Sequence, residues 1–197
     1  MRKILLCTKN KGKVKEFIEL FNLFNVDVEV ISLFDLKDDE DVEENGNSFK
    51  ENAFLKANYY YKKYNIPSIS DDSGLCIDYL NGSPGINSAR FSGAGPKENI
   101  KKVLRLLEGI DNRSAYFTCT ICYINEDGQD HYFEGRVNGS IATSETGENG
   151  FGYDPIFLVN HHGKVVSMAS LSEDEKNKIS HRFNAFNKFA SYLKANL

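Results

Sequence analysis

The chain opens on a short apolar run, KILLC at residues 3–7, which passes directly into the polar stretch TKNKGK. An unbroken run of that length predicts a buried strand. Beyond it, Val14, Phe17, Ile18, Phe21 and Phe24 recur at helical spacing, predicting a helix that buries that stripe. Residues 28–31 (VEVI) predict a second strand, and the acidic stretch 35–47 predicts a loop. Ser48 and Glu51 have capping-box spacing, so a helix should run from there to about Tyr64, burying Phe49, Ala53, Ala57 and Tyr60.

Residues 67–70 and 75–79 predict two short strands on either side of the polar sequence DDSG. The Gly- and Ser-rich run 81–95 predicts a long loop, and loops of that length in compact domains tend to carry function. Pro96 should start a helix that buries Ile100, Val103, Leu104 and Leu107 and stops at Gly109. Residues 114–124 and 130–137 flank the turn Glu126-Asp127-Gly128 and predict an antiparallel hairpin. Short strands are predicted near 139–142, 155–159 and 164–168. A second capping box, Ser172 with Glu175, opens a C-terminal helix with the stripe Ile179, Phe183, Phe186, Ala190 and Leu193. Helices alternate with strands early and a hairpin comes late, so the fold class is α/β with a mixed sheet. With no repeat, linker or low-complexity segment, one domain over 1–197 is expected.

Composition narrows the function. Hydrophobic residues at 41% and charged residues at 26% are those of a globular protein that can bury a core. A net charge of −4 argues against a nucleic-acid polymer as partner. No apolar run approaches the roughly 18 residues of a membrane helix or resembles a signal peptide, so no membrane partner and a cytoplasmic location are expected. Cys7, Cys76, Cys119 and Cys122 lie inside apolar runs. Cys119 and Cys122 spell C-x-x-C, but on a strand they point to opposite faces and share no metal, so buried reduced thiols are expected.

Three polar stretches carry candidate chemistry. In Thr8-Lys9-Asn10-Lys11-Gly12-Lys13, a buried strand runs through a turn into a helix start. Backbone N–H groups and the helix dipole converge there beside three lysines, which suits a polyphosphate; a solvated lysine-rich helix start is the plain alternative. In ISDDSGL (69–75), with Glu43 and Glu44 upstream, clustered carboxylates suit Mg²⁺, which takes one or two of them plus substrate phosphates. One carboxylate can also take a proton from an attacking water. The alternative is a local turn stabilised by Asp and Ser. In Gly150-Phe151-Gly152-Tyr153-Asp154-Pro155, with Lys176 and Ser180-His181-Arg182, glycines allow close approach, aromatics offer stacking faces and the cations donate hydrogen bonds. Together these describe a nucleoside triphosphate site with a divalent ion.

The ordered motifs T-x-N-x-x-K, E-N-A-x-x-K-A, D-D-S-G-L, P-G-I-x-S-A-R, G-F-G-Y-D-P and S-H-R span residues 8–182. In that order the chain resembles the inosine/xanthosine triphosphate pyrophosphatase family, which clears non-standard purine nucleoside triphosphates. The resemblance implies an elongated, two-lobed α/β fold around a central mixed sheet, an active-site cleft between lobes, and a homodimer. It implies that Thr8, Asn10, Lys13 and Lys56 hold the triphosphate, with Lys9, Lys11 and Gly12 in the same turn. Asp72 would be the proton acceptor and a Mg²⁺ ligand, with Glu44 as a second metal-associated acid and Glu43 as its neighbouring alternative. Ser73 would contact substrate, Phe151, Gly152, Tyr153 and Asp154 would bind the base, and Lys176, His181 and Arg182 would close over it. The expected reaction is attack of an Asp72-activated water on the α-phosphorus, releasing a monophosphate and pyrophosphate, with Mg²⁺ and lysines offsetting the repulsion between Asp71 and Asp72. Rival readings are a pyrophosphatase for modified pyrimidine nucleotides, an inactive nucleotide-binding regulator and a general Mg²⁺ phosphatase.

Overall fold

The computed structural model describes residues 1–196. Among these described residues, seven strands and five α-helices follow in the order β1 (Arg2–Leu6), α1 (Lys11–Leu23), β2 (Val28–Ser32), α2 (Phe49–Tyr64), β3 (Ser68–Ile77), α3 (Pro96–Leu106), β4 (Ser114–Ile124), β5 (Asp130–Ile141), β6 (Phe157–His161), β7 (Lys164–Ser167), α4 (Glu173–Lys176) and α5 (His181–Ala195). The strands form one sheet in the order β2-β1-β3-β4-β5-β6-β7. β1 pairs parallel with β2 and β3, whereas β5/β6 and β6/β7 are antiparallel, so the sheet is mixed as expected. No helix among the described residues is long and apolar enough to cross a membrane.

Packing divides the chain into two compact units. The first comprises residues 1–72, 119–135 and 182–197, and the second residues 73–118 and 136–181. In the first unit, the alternation of β1 is visible in its surroundings. Ile4 and Leu6 join Phe17, Leu20, Phe21, Phe186 and Phe189 in one cluster, whereas Leu5 and Cys7 pack with Leu33 and Tyr60 in another. The rings of α1 and α5 meet edge to face, Phe21 lying 4.8 Å from Phe186. Because Phe17 and Phe21 face α5, Leu20 shares their side of α1 and Ile18 turns outward, 42% exposed, against the expected stripe. Cys119 and Cys122 fall in different clusters, and all four cysteines are buried thiols outside any disulfide.

In the second unit, Leu75, Ile77, Ile100, Val103, Leu107, Phe117, Phe157 and Met168 share a single core. Several predicted boundaries shift. Residues 68–77 form one continuous strand straight through DDSG, not two strands and a turn. The predicted strand near 139–142 is the end of β5. The loop 81–95 contains a 3-10 helix at Gly85–Arg90. The Ser172 capping box is complete, but its helix lasts only to Lys176, and a new helix begins at His181. At α2, Ser48 accepts from the Glu51 amide, while the Glu51 carboxylate reaches back to the Asn47 amide at 2.6 Å.

Candidate active site

In the first unit the site gathers the turn from β1 into α1, the middle of β3 and of α2, and the start of α5. β1 ends at Leu6, and Asn10 caps α1 with its side-chain oxygen on the Lys13 amide at 3.1 Å. Thr8 accepts from the Asn10 amide at 3.2 Å, fixing the turn. Lys11, Gly12 and Lys13 therefore lie in the first helical turn, where backbone amides lack intrahelical acceptors and favour an anion. Lys13 reaches Asp71 at 3.1 Å. Lys9 pairs with Asp41 at 3.0 Å, and the Lys11 ammonium lies 6.0 Å from the Phe34 ring centre.

Asp71 and Asp72 sit inside β3, so they face opposite sides. Asp71 is fully buried. Its Oδ1 accepts from Lys13, and its Oδ2 accepts from the Arg182 Nε and Nη2 at 3.2 and 3.1 Å. The Arg182 Nη1 donates to Glu16 at 2.5 Å. Burial alone would pull this guanidinium down, but Glu16 and Asp71 outweigh it and hold it protonated. Lys13 and Arg182 thus offset the charge of Asp71; the lysine was expected there and the arginine was not. Arg182, expected to close over the base, is fully buried and paired with Glu16 and Asp71.

Asp72 has different company. Burial is the largest influence on its carboxyl and pushes it up to about 6; Lys56 and Lys13 pull it down, while Glu44 and Asp71 push it up. Lys56 donates to the Asp71 carbonyl at 2.6 Å and pairs with Glu44 at 2.8 Å. Burial lowers the Lys56 ammonium, yet Asp71, Glu44 and Asp72 raise it by more. Glu44, rather than the exposed Glu43, is the acid brought to this group.

In the second unit, Asp154 is buried and accepts from Lys176 at 2.6 Å and from the Phe151 amide at 3.0 Å. Lys176 also lies 4.4 Å from the centre of the Phe151 ring, which is 41% exposed. Gly150 has φ +74°, and a Cβ there would stand 2.1 Å from Asp154 Oδ2, so only glycine fits. Gly152 comes next in the turn at φ +61°. Tyr153 is buried and donates to the Ser88 carbonyl at 2.6 Å. The His181 ring stacks on Phe117 at 5.0 Å. Ser73 is half-buried where β3 enters this unit.

Residues 4–192 match the Ham1 family. The chain belongs to the Ham1 family. It is 48% identical over 195 residues to the dITP/XTP pyrophosphatase of Bacillus cereus, covering 95% of this chain and 93% of that protein. It is 43% identical to the dITP/XTP pyrophosphatase of Oceanobacillus iheyensis over 98% of both. The fold superposes on the Staphylococcus aureus Ham1 protein with a TM-score of 0.87 at 41% identity, covering both chains completely. A HAM1 protein from Coxiella burnetii gives the same TM-score at 38% identity, over 99% of this chain and all of that one.

The donor set of this Ham1 chain suits Mg²⁺. Asp72 Oδ2 is buried with no hydrogen-bond partner, a costly state that a cation relieves. Among the described residues, no group of three His, Cys, Asp or Glu side chains is placed to hold an ion. A site with so few carboxylates fits an ion that fills its shell with water and substrate phosphate. Sequence reading missed Glu16. Its signal was positional: Lys13, Glu16, Phe17 and Leu20 share one helix face, so Glu16 falls on the buried side of α1. Ser88 lay within the motif P-G-I-x-S-A-R without a role, and its carbonyl anchors Tyr153.

Proposed function

We propose that the protein is a Mg²⁺-dependent nucleoside triphosphate pyrophosphatase. It would convert non-standard purine nucleotides (ITP, dITP and XTP) to the monophosphate and pyrophosphate. The observation that carries this reading is Asp72: a buried carboxyl raised to about 6, with one unpartnered oxygen, beside an acid and two lysines. A base poised just below neutral pH takes a proton from water efficiently. The family relatives named as dITP/XTP pyrophosphatases support the substrate class.

The geometry suggests a role for each group. Thr8 and Asn10 fix the turn that aims the first amides of α1 at a phosphate, and Lys13 and Lys56 take up the charge of departing pyrophosphate. Asp72 accepts the proton of the water that attacks the α-phosphorus. Asp72 and Glu44 would hold Mg²⁺, which when bound supplies charge neutralisation of the phosphates. In the second unit Phe151 offers a stacking face, and Lys176, locked by Asp154, presents donors to a 6-oxo base. The homodimer implied by the family resemblance belongs to the same proposal; sedimentation at assay concentration should give twice the chain mass, and a monomer would remove it.

Hydrolysis of ITP in ¹⁸O-water with Mg²⁺ tests the reaction. Labelled monophosphate and unlabelled pyrophosphate are expected. Diphosphate with orthophosphate would make the protein a general phosphatase, and label in pyrophosphate would move the attack to the β-phosphorus.

A further inference from the structure

The acidic segment between β2 and α2 lies along α2 like a strap, running opposite to the helix. Asp38 meets the last turn, through Lys63 at 2.7 Å and the Tyr64 hydroxyl at 2.5 Å. Glu40 shares Lys63 at 3.0 Å and also meets the turn before it: its carboxylate accepts from Tyr59, and its carbonyl accepts from Tyr60 at 2.8 Å. Glu44 meets Lys56 midway. The amides of Gly46 and Asn47 end on Asn52 at 2.8 Å and Glu51 at 2.6 Å in the first turn. At that end the strap is so close that a Cβ on Gly46 would stand 2.7 Å from Glu51 Cβ.

Glu44 is therefore suspended between two fastenings. The lower one is backbone to side chain at a helix start. The upper one is a buckle of charges, with the Asp38 side chain only 1% exposed. Lys63 first, and Tyr64 second, hold the Asp38 carboxyl down to about 2, so the buckle stays ionised through neutral pH. An isolated surface ion pair contributes little, but one carboxylate shared by an ammonium and a hydroxyl, backed by Glu40, constrains a loop in position.

We propose that Asp38 and Lys63 are positioning residues: by fastening the strap to the end of α2, they set Glu44 at Lys56 and Asp72 and so tune divalent-cation affinity. This inference rests on the role proposed above for Glu44.

Four variants test it: Asp38→Asn, Lys63→Met, Lys63→Arg as the conservative change, and Glu44→Gln as the reference. The readouts are amide hydrogen exchange of residues 40–47 without metal, Mn²⁺ binding by calorimetry, and the Mg²⁺ concentration giving half-maximal ITP hydrolysis. Asp38→Asn and Lys63→Met should speed exchange in the strap. They should also weaken Mn²⁺ binding and raise the Mg²⁺ half-saturation by roughly tenfold, the low end for groups that orient metal ligands. Their kcat at saturating Mg²⁺ should stay near wild type, and Lys63→Arg should behave as wild type. Glu44→Gln should raise the half-saturation without loosening the strap. If Glu44→Gln leaves metal binding unchanged, the role of Glu44 fails and this inference fails with it. If Glu44→Gln shifts it but Asp38→Asn and Lys63→Met do not, the positioning role is overturned and that of Glu44 stands. A fall in kcat that only tracks thermal stability marks a structural buckle and also overturns the inference.

Discussion

Asp71 and Asp72 are neighbours in sequence but not in surroundings, because strand alternation turns them to opposite faces of β3. Asp71 is enclosed by cations, while Asp72 is buried against weaker compensation, and its carboxyl rises to about 6 from an ordinary value near 4. A carboxyl raised on folding binds more protons in the folded state than in the unfolded one. Its charge therefore costs stability above about pH 6, and that cost fades as pH falls from 6 towards 4. Asp72→Asn should cut kcat/KM a hundredfold or more, yet raise unfolding free energy at pH 7.5 by about 1–3 kcal/mol. Denaturation at pH 7.5 and pH 4 checks this: the gain should vanish at the lower pH. In the wild type, kcat/KM should climb as pH rises through about 6. Arg182→Ala removes one partner of a buried network with Glu16 and Asp71, and should lower stability by about 3–5 kcal/mol. A stable Arg182→Ala protein with altered base preference would restore the base-closing role instead. Lys13→Ala should raise KM most at low salt, because screening weakens the steering charge.

At the scale of elements, most of the chain was legible because apolar periodicity decides which residues pack. β1, β2, α1, α2 and α3 stand within a residue or two of where the pattern put them. The exceptions share a cause. Asp and Gly are poor strand residues, so DDSG read as a turn, yet β3 continues because Lys13, Arg182 and Lys56 satisfy its polar groups from other elements. No local rule reports such distant partners. The α4/α5 break was hidden similarly: a good capping box marked where a helix starts, and nothing in the spacing of Ile179 and Phe183 marked where it stops. The turn at Gly150 makes a sharper test. Gly150→Ala places a methyl on Asp154, releasing Lys176 from its 2.6 Å contact. KM for ITP should rise with kcat little changed, and unchanged KM would detach this turn from the base.

For the whole molecule, the order of motifs from Thr8 to Arg182 was readable and the family resemblance implied two lobes, but the positions at which the chain divides into two compact units were not readable. Its boundaries fall within β3, β4 and β5 and between His181 and Arg182, with no linker to mark them. The consequence is a division of the candidate residues along the chain: the carboxylates and lysines proposed for the triphosphate fall in the first unit, and the Phe151-to-Asp154 turn with Lys176 in the second. Phosphate chemistry is common to every nucleotide, so the base decides the substrate. Under the proposed function, Lys176 would donate to a 6-oxo group and disfavour adenine, and the backbone around Phe151 would exclude the 2-amino group of guanine. The deciding measurement is kcat/KM for ITP, XTP, ATP and GTP side by side with Mg²⁺. ITP and XTP should exceed ATP and GTP by ~10² or more, within the range that hydrogen-bonded sites achieve. Turnover of ATP or GTP as readily as ITP would contradict the account.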